Sequence, residues 1–368
     1  MLSKTLAIAA ACSACASIGA GAQTHATLPT PAWTVTARSV HHSDAVPLDA
    51  LGDEDRTLDR LDARSGRNLA YVDDELRASR AAGAWTWGLL VRSRALLVTD
   101  AGTLDLVRQI SLDTPPPADR RWSARVRYES FQGGGLEAGY RFAPAAAWQL
   151  DVAAQVLKLR HWWRRTLDGE ARFEAGSGTY AFDLASTQAD DRLRFPFQQP
   201  QGDGGAGLLL SAEAAWRDGP WAASLSVRDL GWLHWNRLPQ QLGTLSTQTQ
   251  GYDADGFVVY KPLVEGRNDQ QGTTRTLSGW WTARASWRAA QAGEVELSND
   301  VVPGFGALPA VAWRQRIGDV DLGLQWRFHE RRATVALGWR GWQLRAGADR
   351  PGATQRSREL ALSGRWSF

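Results

Sequence analysis

The feature that most limits what this chain can fold into is period-two alternation, repeated in segment after segment and never replaced by a long apolar run beyond residue 22. In Val320–His329, residues Val320, Leu322, Leu324, Trp326 and Phe328 share one face, and Asp321, Gly323, Gln325, Arg327 and His329 share the other. Arg332–Arg340, Trp342–Asp349 and Glu359–Phe368 repeat the pattern, as do Trp122–Glu129, Leu208–Arg217 and Trp281–Arg288 further upstream. Strand side chains alternate across the sheet, so each segment reads as a strand with one apolar and one polar face. Beyond residue 22 no apolar stretch is long enough for a helical membrane span. Alternating strands can lie in a bilayer if the sheet closes on itself, because an open edge leaves backbone groups unpaired in hydrocarbon.

Alternation alone also suits a soluble β-sandwich, and the tryptophans separate the two. There are 19 of them against 6 Tyr, and many flank tight turns. Trp216 and Trp221 bracket Arg217-Asp218-Gly219-Pro220, and Trp339 and Trp342 bracket Arg340-Gly341. An indole has an apolar body and one N–H donor, which suits it to a membrane interface. Many mid-strand apolar positions are Ala, Val, Leu or Gly. The expected fold is therefore all-β: a closed antiparallel transmembrane barrel of about 14–16 strands. The connections beside the tryptophans are short. Longer ones are expected at the opposite end, over Asp190–Gly205, Arg237–Gly279, Asp300–Pro309 and Arg350–Ser357.

The N-terminal third is less regular. Asn68–Ala81 and Ala84–Thr99 read as a hairpin, and Trp33–His42 as a strand or a tail. Leu48–Arg67 carries Asp55/Asp59 and Arg56/Arg60 at helical spacing, which suits a loop helix or a plug in the lumen; Thr103–Ile110 reads as a second short helix. At the start, Lys4, the apolar run Leu6–Ile18 and Ala20-Gly21-Ala22 have the form of a cleaved signal peptide, residues 1–22. Residues 23–368 then form one barrel domain. Both cysteines, Cys12 and Cys15, fall in the leader, so ordinary cleavage leaves no disulfide and no thiol chemistry; lipoprotein-type cleavage before Cys15 stays open. The expected location is the outer membrane, with the lipid bilayer as partner and no nucleic acid.

Chemical motifs are sparse. The six histidines include no H-x-x-x-H spacing, and no G-x-S-x-G is present. Asp190-Asp191 is an acidic pair of the kind a rim hydrolase would set beside a His. Asp253-Ala254-Asp255-Gly256 lacks the remaining ligands of a calcium loop. No catalytic, cofactor or metal residue is assigned, and no enzyme activity is expected. The polar strand faces supply the lumen-lining candidates: Arg284, Arg288, Arg314, Arg316, Arg327 and Arg345, with Glu294 and Glu296. Such a face is either a cross-strand charge ladder in a filled lumen or the wall of a selective pore. The close mixing of signs favours the filled lumen.

Two resemblances add to this. Leu362, Trp366 and Phe368 are in phase at the chain end, which resembles the terminal signature that outer-membrane barrels present to the barrel-assembly machinery. That implies this machinery as a partner. Ser224–Trp235 (SLSVRDLGWLHW) with Leu238-Pro239, and the glycine-rich Gly205–Trp216, are similar to uncharacterised relatives of the long-chain fatty-acid transporters and the conjugation-associated barrels. The Asn-Pro-Ala element of the fatty-acid transporters is absent, and no ligand residue carries over. The resemblance implies a channel or transporter for a small or hydrophobic solute. The alternatives are a non-transporting structural or assembly component of the envelope and, third, a barrel hydrolase.

Overall fold

The computed structural model describes residues 31–200, 204–248, 250–252, 255, 258–260, 262–289 and 292–367. The expected leader, Phe368 and most of the 253–256 turn lie outside the described residues. In chain order the elements are β1 (Ala32–Ser43), α1 (Glu54–Asp59), β2 (Arg67–Ala82), β3 (Trp85–Asp100), α2 (Ala101–Ser111), β4 (Arg120–Ala145) and β5 (Trp148–Glu174). There follow β6 (Thr179–Asp190), β7 (Gly205–Asp218), β8 (Trp221–Ser246), β9 (Gln250–Tyr252), β10 (Val258–Tyr260), β11 (Val264–Leu277) and β12 (Trp280–Ala289). The last are β13 (Gly293–Val302), β14 (Gly306–Ile317), β15 (Val320–Arg327), β16 (Arg332–Trp339), β17 (Trp342–Ala348) and β18 (Ser357–Ser367).

Fourteen strands close a ring: β1 to β5, then β7, β8 and β12 to β18, with β18 returning to β1. All pairs are antiparallel. The closing pair runs in register from Ala32↔Ser367 to His42↔Ser357. Three strands are far longer than a bilayer needs: β4 and β8 have 26 residues each and β5 has 27, against about 9–11 for a tilted transmembrane strand. Their excess forms a second sheet beyond the ring, in which β5 pairs β6, β6 pairs β8, and β8 pairs β11.

The ring has the polarity of a lipid-facing wall. Leu89, Val91, Leu136, Val156, Leu297 and Leu360 are each more than half exposed. A soluble protein seldom shows so continuous an apolar band. One end carries a tryptophan girdle built from cross-strand pairs: Trp33↔Trp366, Trp148↔Trp216, Trp221↔Trp287 and Trp339↔Trp342. The described chain begins and ends at this end. The helices lie at the other, the far end. Among the described residues no helix is long and apolar enough to cross a membrane.

Three segments differ from the sequence reading, and in a fourth one of its alternatives holds. Asp300–Pro309 is strand apart from a three-residue turn between β13 and β14. Much of Arg237–Gly279 is strand as well, in β8 and β11. Both faces of Arg267–Thr276 are polar because this part of β11 stands outside the apolar belt, so it has no alternation to betray it. Trp122 and Ala124 are not lipid-facing: with Ala171 and Phe173 they pack beneath Leu106 of α2. Leu48–Arg67 contains the loop helix α1 and lies over the far rim, where Leu48 N–H donates to the Gln355 carbonyl and Arg60 to that of Ala353.

The face assignment is tested by placing one charge on each side of the wall. Leu324→Arg should destabilise the barrel by about 2–4 kcal/mol, the range for Arg at the bilayer midplane. Gln343→Arg, on the inner face, should leave the urea unfolding midpoint of the lipid-reconstituted protein nearly unchanged. Equal losses would contradict the assigned faces.

Candidate functional site

The lumen is blocked midway by charge, and the block begins with an irregularity in β8. That strand pairs β12 up to Arg228 and β11 from Gly231, so Asp229 and Leu230 fall in the gap. Its pairing with β7 shifts register at the same height, between Leu210 and Ala212. Asp229 takes φ 62°, a left-handed conformation that Asp tolerates better than most residues. Bulges re-aim side chains. Here the result is that Arg228 and Asp229, adjacent in sequence, both make ion pairs across the lumen.

Those pairs join strands that are not neighbours in the ring. Arg228 reaches Asp73 of β2 at 2.5 Å, and Asp229 receives Arg92 and Arg94 of β3 at 2.6 Å each. Arg38 of β1 also pairs Asp73, at 2.7 Å. Arg92 donates to Gln155 of β5, which donates to Glu137 of β4. Asp73, Arg92, Arg94 and Asp229 are all buried. Trp280, the first residue of β12, lies under Arg228 at 4.7 Å and Arg94 at 5.0 Å, close enough for cation–π attraction. It also belongs to an apolar layer with Val40, Leu69, Tyr71, Val98, Val302 and Leu308. A second apolar cluster lines the neighbouring wall, including Leu90, Phe131, Trp162, Leu209, Leu233 and Trp235.

The residues singled out in the sequence lie mostly elsewhere. Arg284 pairs Glu213 at 3.6 Å, Arg288 pairs Glu294 at 2.8 Å, and Arg314 pairs Glu296 at 3.0 Å and Glu294 at 3.9 Å. Arg316 donates to the Gly318 carbonyl. These groups sit on the girdle side of the block; the Arg314 side chain remains 52% exposed. Arg327 and Arg345 stand farther along. Arg327 holds Asp300 and Glu330 at 2.6 and 2.7 Å, and Arg345 holds Glu359 at 3.0 Å. Leu362 and Trp366 belong to β18, paired with Ala37 and Trp33 at the closing seam.

The far rim is built around Asp44. Its carboxylate accepts from His42 and His329 at 3.0 Å each and from the Leu69 N–H at 2.8 Å, and it pairs with Arg64 at 2.8 Å. Burial pushes its pKa up, but the hydrogen bonds from His329 and His42 outweigh this and hold it well below the usual carboxylate range. Burial lowers the pKa of His42, despite the opposing pull of its hydrogen bond to Asp44.

The wall itself changes partners at a seam. Below it β5 pairs β7 as far as Leu159↔Gly205, and above it β5 pairs β6 from Trp163↔Asp190. Register with β4 also slips here, between Gln132 and Gly133. Gly134, Gly135, Gly204 and Gly205 leave a mainly apolar groove of about 470 Å³, bordered by Leu136, Val156, Leu157, Ala206 and His234. The backbones are close: a Cβ on Gly205 would stand 2.6 Å from the His234 carbonyl and from the Trp235 ring.

The sequence reading missed the block itself. Its signal was present: Asp73, Glu75 and Arg77 are in phase on β2, and Arg92 and Arg94 in phase on β3. Trp280 and Trp281 carry no such signal in composition, yet one is buried in the lumen and the other exposed on the wall.

No family model and no curated protein matches this chain. Among solved structures it is similar to the toluene transporter TodX of P. putida, at 9% identity over 92% of this chain and 90% of that one, with a TM-score of 0.38. The toluene transporter TbuX of Ralstonia pickettii gives 8% identity, 92% and 90% coverage, and a TM-score of 0.30. A Pseudomonas aeruginosa FadL homologue gives 9%, 91% and 88%, and 0.29. At such identities and scores they say nothing of what this barrel carries.

Two measurements probe this architecture. Asp229→Ala strands Arg92 and Arg94 without their shared carboxylate. It should cost about 3–5 kcal/mol, the scale for breaking a buried pair, and should raise conductance in planar bilayers above the wild type. For the rim, the sign follows from His42 and Asp44. Unfolded His42 takes up a proton near pH 6.5 that the folded residue resists, so stability should begin to fall as pH drops through that value. A second fall should start near pH 4, as unfolded Asp44 protonates before the folded carboxylate does. In His42→Gln the first fall should shrink and the second remain, read as urea midpoints across pH.

Proposed function

We propose that this barrel sits in the outer membrane, girdle end toward the periplasm, and passes a small hydrophobic solute through its wall rather than down its axis. One observation carries the reading. The axis is closed by the Asp73–Arg228 and Arg92–Asp229 bridges, while the apolar groove at the seam lies against Leu157, a member of the buried cluster inside the wall. An apolar molecule gains by leaving water or lipid headgroups for such a surface, at about 25 cal/mol per Å² of apolar area buried. A charged solute meets the paired arginines and carboxylates of the block. The girdle-side ladder, including Arg284, Arg288, Arg314 and Arg316, then lines a wet vestibule on the periplasmic side. Leu362, Trp366 and Phe368 serve as the signal for the barrel-assembly machinery. No catalytic role is assigned to any residue.

The filled lumen also favours a second reading, a sealed structural component of the envelope. Uptake of a labelled long-chain fatty acid or aromatic hydrocarbon separates the two. Cells making the wild type should accumulate it faster than cells lacking the protein. Ala206→Trp, which fills the groove from the outer face, should cut that gain several-fold with the folded amount unchanged on unheated gels. Wild-type uptake equal to background would remove the transport reading and leave the structural one.

A further inference from the structure

At the seam, β5 turns its outer face to the connector that follows β6. His161 stands two residues beyond Leu159, the last β5 residue to pair with β7, and is buried. Its Nδ1 is hydrogen-bonded with Asp191 Oδ1. The Trp162 N–H donates to the same Asp191 oxygen at 3.0 Å, which fixes that carboxylate. Asp190, also buried, takes the Arg192 N–H on Oδ1 at 2.8 Å. One ligand atom from each of His161, Asp190 and Asp191 lies within 4.8 Å of the other two. A tetrahedral ion with bonds of about 2.0–2.2 Å asks for ligands about 3.4 Å apart, so a modest rotation of the side chains closes the set.

We propose that His161, Asp190 and Asp191 bind a divalent first-row transition-metal cation, such as Zn²⁺ or Mn²⁺, which ties the β6–β7 connector to the kink of β5. Two carboxylates supply the charge, the imidazole supplies the preference for a transition metal over Ca²⁺, and water completes the shell. Burial and the neighbouring Asp191 charge raise the pKa of Asp190, the strain that a bound cation relieves. Among the described residues a second group of possible ligands, His42, Asp44 and His329, makes an instructive contrast. At His42, Asp44 and His329 the cation's place is taken: Arg64 lies 2.8 Å from Asp44 and 3.3 Å from His329 Nε2. At the seam, among the described residues, no arginine is paired with either carboxylate; Asp191 pairs with His161. The site would brace the connector, including the exposed Arg192 and Arg194, immediately above Gly204 and Gly205 of the groove. It does not depend on what the barrel transports.

The test uses untagged full-length mature protein, folded in detergent and stripped with EDTA. Titration with ZnCl₂, and separately with MnCl₂, followed by calorimetry, should show one saturable site for at least one of the two. Bound metal should slow tryptic cleavage after Arg192 and Arg194 in the wild type. His161→Gln and Asp190→Asn should each weaken binding on the order of tenfold or more, since even indirect supports of a metal site act on that scale, and should abolish the protection. Heat-modifiable mobility certifies that each variant is folded; should one misfold, the other decides. Failure of both metals to saturate the wild type, equal affinity in a folded variant, or cleavage indifferent to metal would each overturn the site.

Discussion

The hydrogen-bonded seam between β1 and β18 is the contact on which the rest of the barrel depends. In hydrocarbon an unpaired N–H or C=O has no water to turn to. The seam pairs the two ends of the described chain, from Ala32↔Ser367 to His42↔Ser357, and abolishes the edge. With the ring closed, polarity can be inverted at little cost: leucines and tryptophans face outward, and arginines and carboxylates inward. The inward charges are then held at low dielectric, where each needs a partner. That necessity, more than any preference for ion pairs, explains why Arg92, Arg94 and Arg228 converge on Asp73 and Asp229. Buried pairs are weak sources of stability but costly to break. They set the shape of the lumen without adding much to its strength.

The block also shows how one irregular residue organises a regular wall. A perfectly alternating β8 would send one of Arg228 and Asp229 into lipid. The slip beside Leu230, with Asp229 in a left-handed conformation, turns both inward. Trp280, across the break between β11 and β12, fills the space this opens and lies against two of the arginines. The apolar layer around Leu69, Tyr71 and Leu308 packs with the same indole. Charge, ring and apolar layer therefore meet at Trp280.

Much of the fold was legible because lipid imposes alternation. From Trp280 to Phe368, strands about ten residues long show their faces in the sequence, and the tryptophan pairs mark one end. The same logic hid the parts outside the belt. β11 is polar on both faces and reads as a loop; the first half of β4 is apolar on a face that α2 covers, so it reads as lipid-facing. The lumen charges in β2 and β3 obeyed the alternation, but parity there was lost because the connections around α1 and α2 gave no count of strands. The partnership of His161 with Asp191 was out of reach, since it joins residues 30 apart across a strand pair that no local pattern specifies.

β8 belongs to two sheets at once. Below Arg228 it is a stave of the ring between β7 and β12; beyond Gly231 it is a rib of the outer sheet, flanked by β11 and, higher up, by β6. The joint between stave and rib is Asp229, the carboxylate that holds two arginines. The outer sheet and the lumen closure are therefore one mechanical piece. Torque on the outer sheet has a short covalent path to the middle of the barrel.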